Sequence, residues 1–113
     1  MCMKISKKEL IRINQGFGGN LRNDSSLDYA IEVQSNNKLG IYKKLAYLLR
    51  AILVDHPFSD GNKITAMYIC LKFKEENKKQ IDRDLLVEQI ISIAKNNINE
   101  VRNIEWRIKN AIR

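Results

Sequence analysis

The chain has 113 residues, 44% apolar and 29% charged, which suits a soluble globular protein with one domain over 1–113, large enough to bury roughly two-thirds of its unfolded surface. No apolar run reaches the ~20 residues a bilayer requires, and Met1-Cys2-Met3-Lys4-Ile5 lacks the apolar core of a signal peptide, so a cytoplasmic chain with no membrane association is expected. The net charge of +7 is spread out: residues 1–56 carry 9 Lys and Arg against 5 Asp and Glu, and residues 57–113 carry 11 against 8.

The longest basic runs are pairs such as Lys7-Lys8, Lys43-Lys44 and Lys78-Lys79, which read as solvated surface, so nucleic acid is not expected as a partner. An acidic protein segment or the phosphates of a nucleotide would still profit from the positive field. Cys2 and Cys70 form no disulfide framework and no zinc-ligand spacing. Cys70 sits in the apolar run Met67-Tyr68-Ile69-Cys70-Leu71, where a small buried thiol is the ordinary expectation.

Ser6-Lys7-Lys8-Glu9 is a capping box and opens a short helix to about Asn14. Gln15 to Ser26, with Gly16, Gly18 and Gly19 among several Asn and Asp, reads as a flexible loop without a dinucleotide fingerprint. Ser26 is expected to cap a helix that carries Leu27, Ala30 and Ile31 on one face. Ile41, Leu45, Leu48, Leu49 and Ile52 then form an apolar stripe at helical spacing. Pro57 disfavours helical geometry at the residue before it, so this helix should stop at about Asp55.

The run from Ile64 to Phe73 suits either a strand, in a hairpin turning around residues 56–62, or a helix. Its length through Glu75-Glu76-Asn77 and the stripe Ile64, Met67, Tyr68, Leu71 favour a helix, and its near-total apolarity predicts a central, buried one. Asp82 caps the next helix (Leu86, Ile90, Ile93, Ala94), and Asn99 the last (Val101, Ile104, Ile108, Ala111, Ile112). Trp106 lies off that last stripe and is expected to pack along a helix edge, with an exposed anchor for a partner helix as the alternative. The fold class is all-α, a compact bundle of about six helices with at most a small hairpin in the loops.

The chemistry concentrates between the two middle helices, in His56-Pro57-Phe58-Ser59-Asp60-Gly61-Asn62-Lys63-Ile64-Thr65-Ala66, which holds the only histidine and the only proline. An imidazole can take a proton from a hydroxyl near neutral pH. Asp60 could hold a magnesium ion, which binds through one or two carboxylates plus phosphate oxygens. Gly61 permits close backbone approach to an anion, and a helix starting at Asn62 would aim unpaired N–H groups at it. The plainer alternative is a tight Asp60-Gly61 turn beside a surface histidine.

This segment, placed between such helices, resembles the Fic/Doc family, and more closely its death-on-curing (Doc) toxin branch. Tyr42 to Ile52 looks like the family's preceding helix, and Gly18-Gly19-Asn20-Leu21-Arg22 followed by Leu27-Asp28-Tyr29-Ala30 resembles its N-terminal loop and helix. The resemblance implies His56 as the catalytic base, Asp60 as the metal ligand, and Gly61 and Asn62 as the phosphate cradle, Asn62 through its side-chain amide. It implies that Phe58 anchors the loop to the core, and that ATP and Mg2+ serve the reaction.

Lys63 stands where AMP-transferring members have glycine and where the Doc toxin has lysine, a point charge beside the phosphates. The Doc-like reading is transfer of the γ-phosphoryl group of ATP to a serine or threonine of a protein such as elongation factor Tu, restrained by a separate Phd-like antitoxin. The chain departs from the family at Ile64, where arginine is usual, and at Met67, where the AMP-transferring motif has its second arginine. No Ser/Thr-x-x-x-Glu-Gly/Asn inhibitory helix is visible in the sequence. Three readings follow from this pattern: a Doc-type kinase toxin, an AMP-transferase acting on a protein hydroxyl, and a nucleotide-binding module without the chemistry.

Overall fold

A computed structural model of the chain describes residues 5–113. The described residues form six α-helices: α1 (Lys7–Gly16), α2 (Ser25–Glu32), α3 (Ile41–Leu53), α4 (Asn62–Glu76), α5 (Arg83–Lys95) and α6 (Val101–Ala111), with a 3-10 turn over Val33–Ser35 after α2. The all-α expectation holds, and the run from Ile64 to Phe73 is helical. Extended pairing among the described residues is limited to two isolated antiparallel bridges, Leu21 with Phe58 and Ile81 with Ile112. None of these helices is long and apolar enough to cross a membrane. Met1 to Lys4, with Cys2, lie outside the described residues.

Two helix starts follow directly from side-chain capping. Ser6 Oγ accepts from Glu9 N–H at 3.1 Å, and Asp82 Oδ1 accepts from Leu85 N–H at 3.1 Å. Two others differ from the sequence expectation. α2 starts two residues earlier than a Ser26 cap would place it: Asp24 is its cap residue, and the Asp24 carboxylate takes Lys7 Nζ at 2.7 Å rather than a backbone N–H. Lys7 also reaches Asp28 at 2.9 Å, so one ammonium ties α1 to α2. The last helix follows Glu100, not Asn99. α1 runs on to Gly16, and α3 stops at Leu53, two residues short of Asp55.

The core is built around α3, which packs against α2, α4, α5 and α6. Leu45, Leu48, Leu49 and Ile52 are buried, as the stripe predicted, while Ile41 is half-buried. The central position therefore belongs to α3 rather than to α4. On α4 the buried side chains are Thr65, Ala66, Ile69, Cys70 and Phe73, while of the expected stripe Ile64 and Tyr68 are 49% and 44% exposed and Met67 and Leu71 are half-buried. The error has a physical source: apolar residues surround α4 on every side, so periodicity could not say which face the rest of the chain would cover.

Two surface expectations also fail. Lys44, read as half of a solvated pair, is 2% exposed, on the side of α3 where Gln34 Nε2 donates to the Lys44 carbonyl at 3.0 Å. Trp106, expected to pack along a helix edge, is 67% exposed.

Candidate functional site

The segment between α3 and α4 is shaped by four sets of hydrogen bonds. Residues 20–23 run antiparallel to residues 57–59: Arg22 and Asn23 N–H both donate to the Pro57 carbonyl (2.7 and 3.2 Å), and Ser59 N–H donates to the Asn20 carbonyl (2.8 Å). Asn20 N–H returns to Ser59 Oγ at 3.0 Å. Asn62 turns its side chain back into the loop, its Nδ2 donating to the Phe58 carbonyl at 3.0 Å and its Oδ1 accepting from Phe58 N–H at 3.3 Å. Asp60 Oδ1 accepts from Gly61 N–H at 2.7 Å. Phe58 is itself buried, so the loop is plugged into the core at its midpoint.

Backbone geometry places the ends of this loop. His56 has φ +47°, a left-handed conformation that costs a non-glycine residue energy and that histidine adopts more readily than most. It turns the chain sharply out of α3 and leaves the imidazole exposed. Gly61, at φ +73°, is the cap residue of α4 and has no side chain to offer the helix.

His56, Ser59, Asp60, Gly61, Asn62, Lys63 and Ile64 line one open depression of about 320 Å³. All five residues singled out from the sequence, His56, Asp60, Gly61, Asn62 and Lys63, therefore meet in one place. α4 begins there without a side-chain cap and without an acid in its first turn. Helix geometry leaves the N–H groups of Asn62, Lys63 and Ile64 with no acceptor inside the helix. Lys63, exposed and with no ion pair among the described residues, adds a cation at the positive end of the helix dipole. A cation there is disfavoured by about 0.3–1 kcal/mol, and an anion in the depression would relieve both features.

The donors are not all those the sequence suggested. The Asn62 amide is engaged at both ends by Phe58, and the Gly61 N–H by Asp60, so the groups facing outward are main-chain N–H groups of α4 and the Lys63 ammonium. Asp60 is the single carboxylate lining the depression, and no group of three His, Cys, Asp or Glu among the described residues could hold a metal alone. This donor set fits a magnesium ion that brings phosphate oxygens with it and does not fit a resident metal. A wider depression of about 480 Å³ beside Trp106 has Glu100, Arg102, Asn103 and Arg107 around it but no histidine. Chemistry rather than volume selects the loop.

Sequence reasoning missed two residues here. Asn14, at the end of α1, is fully buried; its Nδ2 donates to the Asp60 carbonyl at 2.8 Å and to Thr65 Oγ1 at 3.2 Å. Its Oδ1 is buried without a partner, a situation that costs about 1–3 kcal/mol. Gly19, read as part of a flexible loop, is buried against the same group: a Cβ there would overlap the Asn14 side chain and the Asp60 carbonyl. These contacts join residues 46 and 51 positions apart, and no local pattern announces them.

Comparison with known proteins bears on this geometry. The Fic/DOC family model matches residues 5–73, from before α1 to well inside α4, which takes in the whole depression together with Asn14 and Gly19. No curated protein and no solved structure matches the chain. Proteins of that family generally transfer nucleotide or phosphate groups to protein targets, with ATP and Mg2+.

Proposed function

Since the chain belongs to the Fic/DOC family, we propose that it acts in the manner of the Doc branch, moving the γ-phosphoryl group of ATP to a serine or threonine hydroxyl of a protein. The observation that carries this reading is the uncapped start of α4, with Lys63 in its first turn, opening on the same depression as the His56 imidazole. A base on one side and fixed anion donors on the other are what an in-line transfer to a hydroxyl requires.

In this reading the main-chain N–H groups at the start of α4 and the Lys63 ammonium hold the phosphates. Asn62 serves through its N–H and by keeping the loop in shape, since its amide is taken by Phe58. His56 accepts the hydroxyl proton as the oxygen bonds to the γ-phosphorus; the bond from that phosphorus to the β–γ bridging oxygen breaks, and ADP leaves. Magnesium bound through Asp60 and the phosphate oxygens would supply further charge neutralisation. Ile64, where the family usually has arginine, lines the depression and brings no charge, so slow turnover is expected.

Elongation factor Tu is the protein target to try first, and a separate Phd-like antitoxin is the expected restraint. Intact-mass spectrometry of elongation factor Tu, after incubation with the protein and Mg-ATP, tests the reading. One added phosphoryl group is expected. An adenylyl adduct from the unmodified protein would instead make it an AMP-transferase, and no adduct would leave a nucleotide-binding module. Lys63→Gly combined with Ile64→Arg is expected to shift the product toward adenylyl, because it removes the bulk at 63 and restores an arginine.

A further inference from the structure

The geometry points to Asn14 as a positioning residue that keeps the Asp60–Gly61 peptide turned the right way round for an anion, an inference that rests on the reading of the depression as a phosphate site. Asn14 is not among the residues lining the depression, so any influence it has on a ligand must pass through the loop. Its Nδ2 holds two points of that loop at once, the Asp60 carbonyl at 2.8 Å and the Thr65 hydroxyl at 3.2 Å, one just before α4 and one in its first turn.

A trans peptide points its C=O and the following N–H in opposite directions. With the Asp60 carbonyl drawn inward to Asn14, the Gly61 N–H faces away from Asn14, where it meets Asp60 Oδ1 at 2.7 Å. A half-turn of this one peptide would reverse the arrangement and direct a carbonyl oxygen into the depression, toward the phosphates it is meant to hold. Such flips are easy where the second residue is glycine, because glycine accepts either sign of φ. Gly61 is that residue, at φ +73°. Within the loop the Asp60 carboxylate opposes the flipped form by holding the Gly61 N–H, and the Asn14 amide opposes it from another helix by holding the Asp60 carbonyl.

Gly19 completes the arrangement. It is buried where a Cβ would overlap both the Asn14 side chain and the Asp60 carbonyl, so the amide and the carbonyl are pressed together from the third side. A Cβ on Gly61 would lie 3.2 Å from Asn14 Nδ2, so the amide also fits closely against the cap of α4. The unpartnered Oδ1 is consistent with a side chain retained for its two N–H bonds.

Asn14→Leu tests this, because leucine matches the shape and suits a buried site while removing the donor. Leu10→Ala, a truncation of a fully buried residue one turn earlier on the same helix, is the control for general loosening. Calorimetric titration with Mg-ATP, well below each variant's unfolding temperature, is expected to give about a tenfold loss of affinity for Asn14→Leu, as follows when the flipped peptide takes about nine-tenths of the population. Leu10→Ala is expected to bind as the wild type does while unfolding at a lower temperature. Wild-type affinity in Asn14→Leu, or an equal loss in Leu10→Ala, would overturn the inference.

The ligand-free proteins give a second readout that does not depend on nucleotide. The Gly61 amide resonance is expected to shift or double in Asn14→Leu and stay in place in Leu10→Ala; an unchanged resonance in Asn14→Leu would also overturn it. If the wild-type protein binds no ATP, the reading of the depression fails, and the Gly61 resonance still decides the role of Asn14.

Discussion

Two helices in this protein begin in opposite ways. α5 starts closed: the Asp82 carboxylate accepts from Leu85 N–H at 3.1 Å, and Asp84 adds a negative charge to the first turn. α4 starts open: its cap is Gly61, no side chain closes its first N–H groups, its first turn holds no acid, and Lys63 adds a charge of the unfavourable sign. The rules that stabilise an isolated helix are followed at α5 and broken at α4. Departures from ordinary propensity are expected at functional sites, and the open start of α4 is such a departure. The break also coincides with the family match, which ends at residue 73, before α5 begins.

The largest effect should come from removing the group that faces the open end. His56→Ala is expected to lower transfer by about 10²–10⁴-fold through loss of the proton acceptor, and to leave the fold intact because the side chain is exposed. Intact-mass kinetics on the protein target read the first effect, and thermal unfolding reads the second. Unchanged transfer would remove His56 from the role of base.

Next in size is the variant that makes α4 begin as α5 does. Lys63→Glu puts an acid into the first turn, so the affinity for Mg-ATP should fall at least about tenfold through replacement of a favourable charge by a repulsive one. The same change should stabilise the free protein by about 0.3–1 kcal/mol, because the new charge suits the helix dipole. A variant both more stable and unable to bind nucleotide would establish that the two requirements conflict at this helix end.

The reverse operation on α5 is smaller. Asp82→Ala should cost about 1 kcal/mol in denaturant unfolding through loss of the cap, with Mg-ATP affinity unchanged. A nucleotide defect in that variant would mean that the two helix ends are not independent.

No effect at all is expected from any of the three substitutions at Cys70. Burial pushes its thiol up to about 12, so it should resist iodoacetamide at mildly alkaline pH in every folded variant. Labelling of Cys70 would mean that the core around α4 had opened.

How much of this was legible in the sequence follows from the range of the interactions. The motif from His56 to Lys63 is contiguous, and the five residues chosen from it line one depression. The caps at Ser6 and Asp82 act over three residues, and the α3 stripe repeats on one face, so these too could be read locally. The outward face of α4 could not, because the exposed Ile64 is as apolar as the buried Ile69, and Tyr68 has an aromatic ring like that of the buried Phe73. Nor could the burial of Lys44, or the inward turn of the Asn62 amide toward Phe58. Asn14 and Gly19 lie outside the motif altogether and reach it only through the packing of α1 on α4.

The central claim is that the open start of α4 holds the phosphates of a nucleotide and that Asp60 takes a magnesium ion only in their company. Calorimetric titration of the wild-type protein with magnesium alone, ATP alone and Mg-ATP tests it most directly. The account predicts no measurable binding of magnesium alone, weak binding of ATP alone, and saturable one-to-one binding of Mg-ATP. Tight binding of magnesium to the bare protein, or no binding of Mg-ATP, would contradict it.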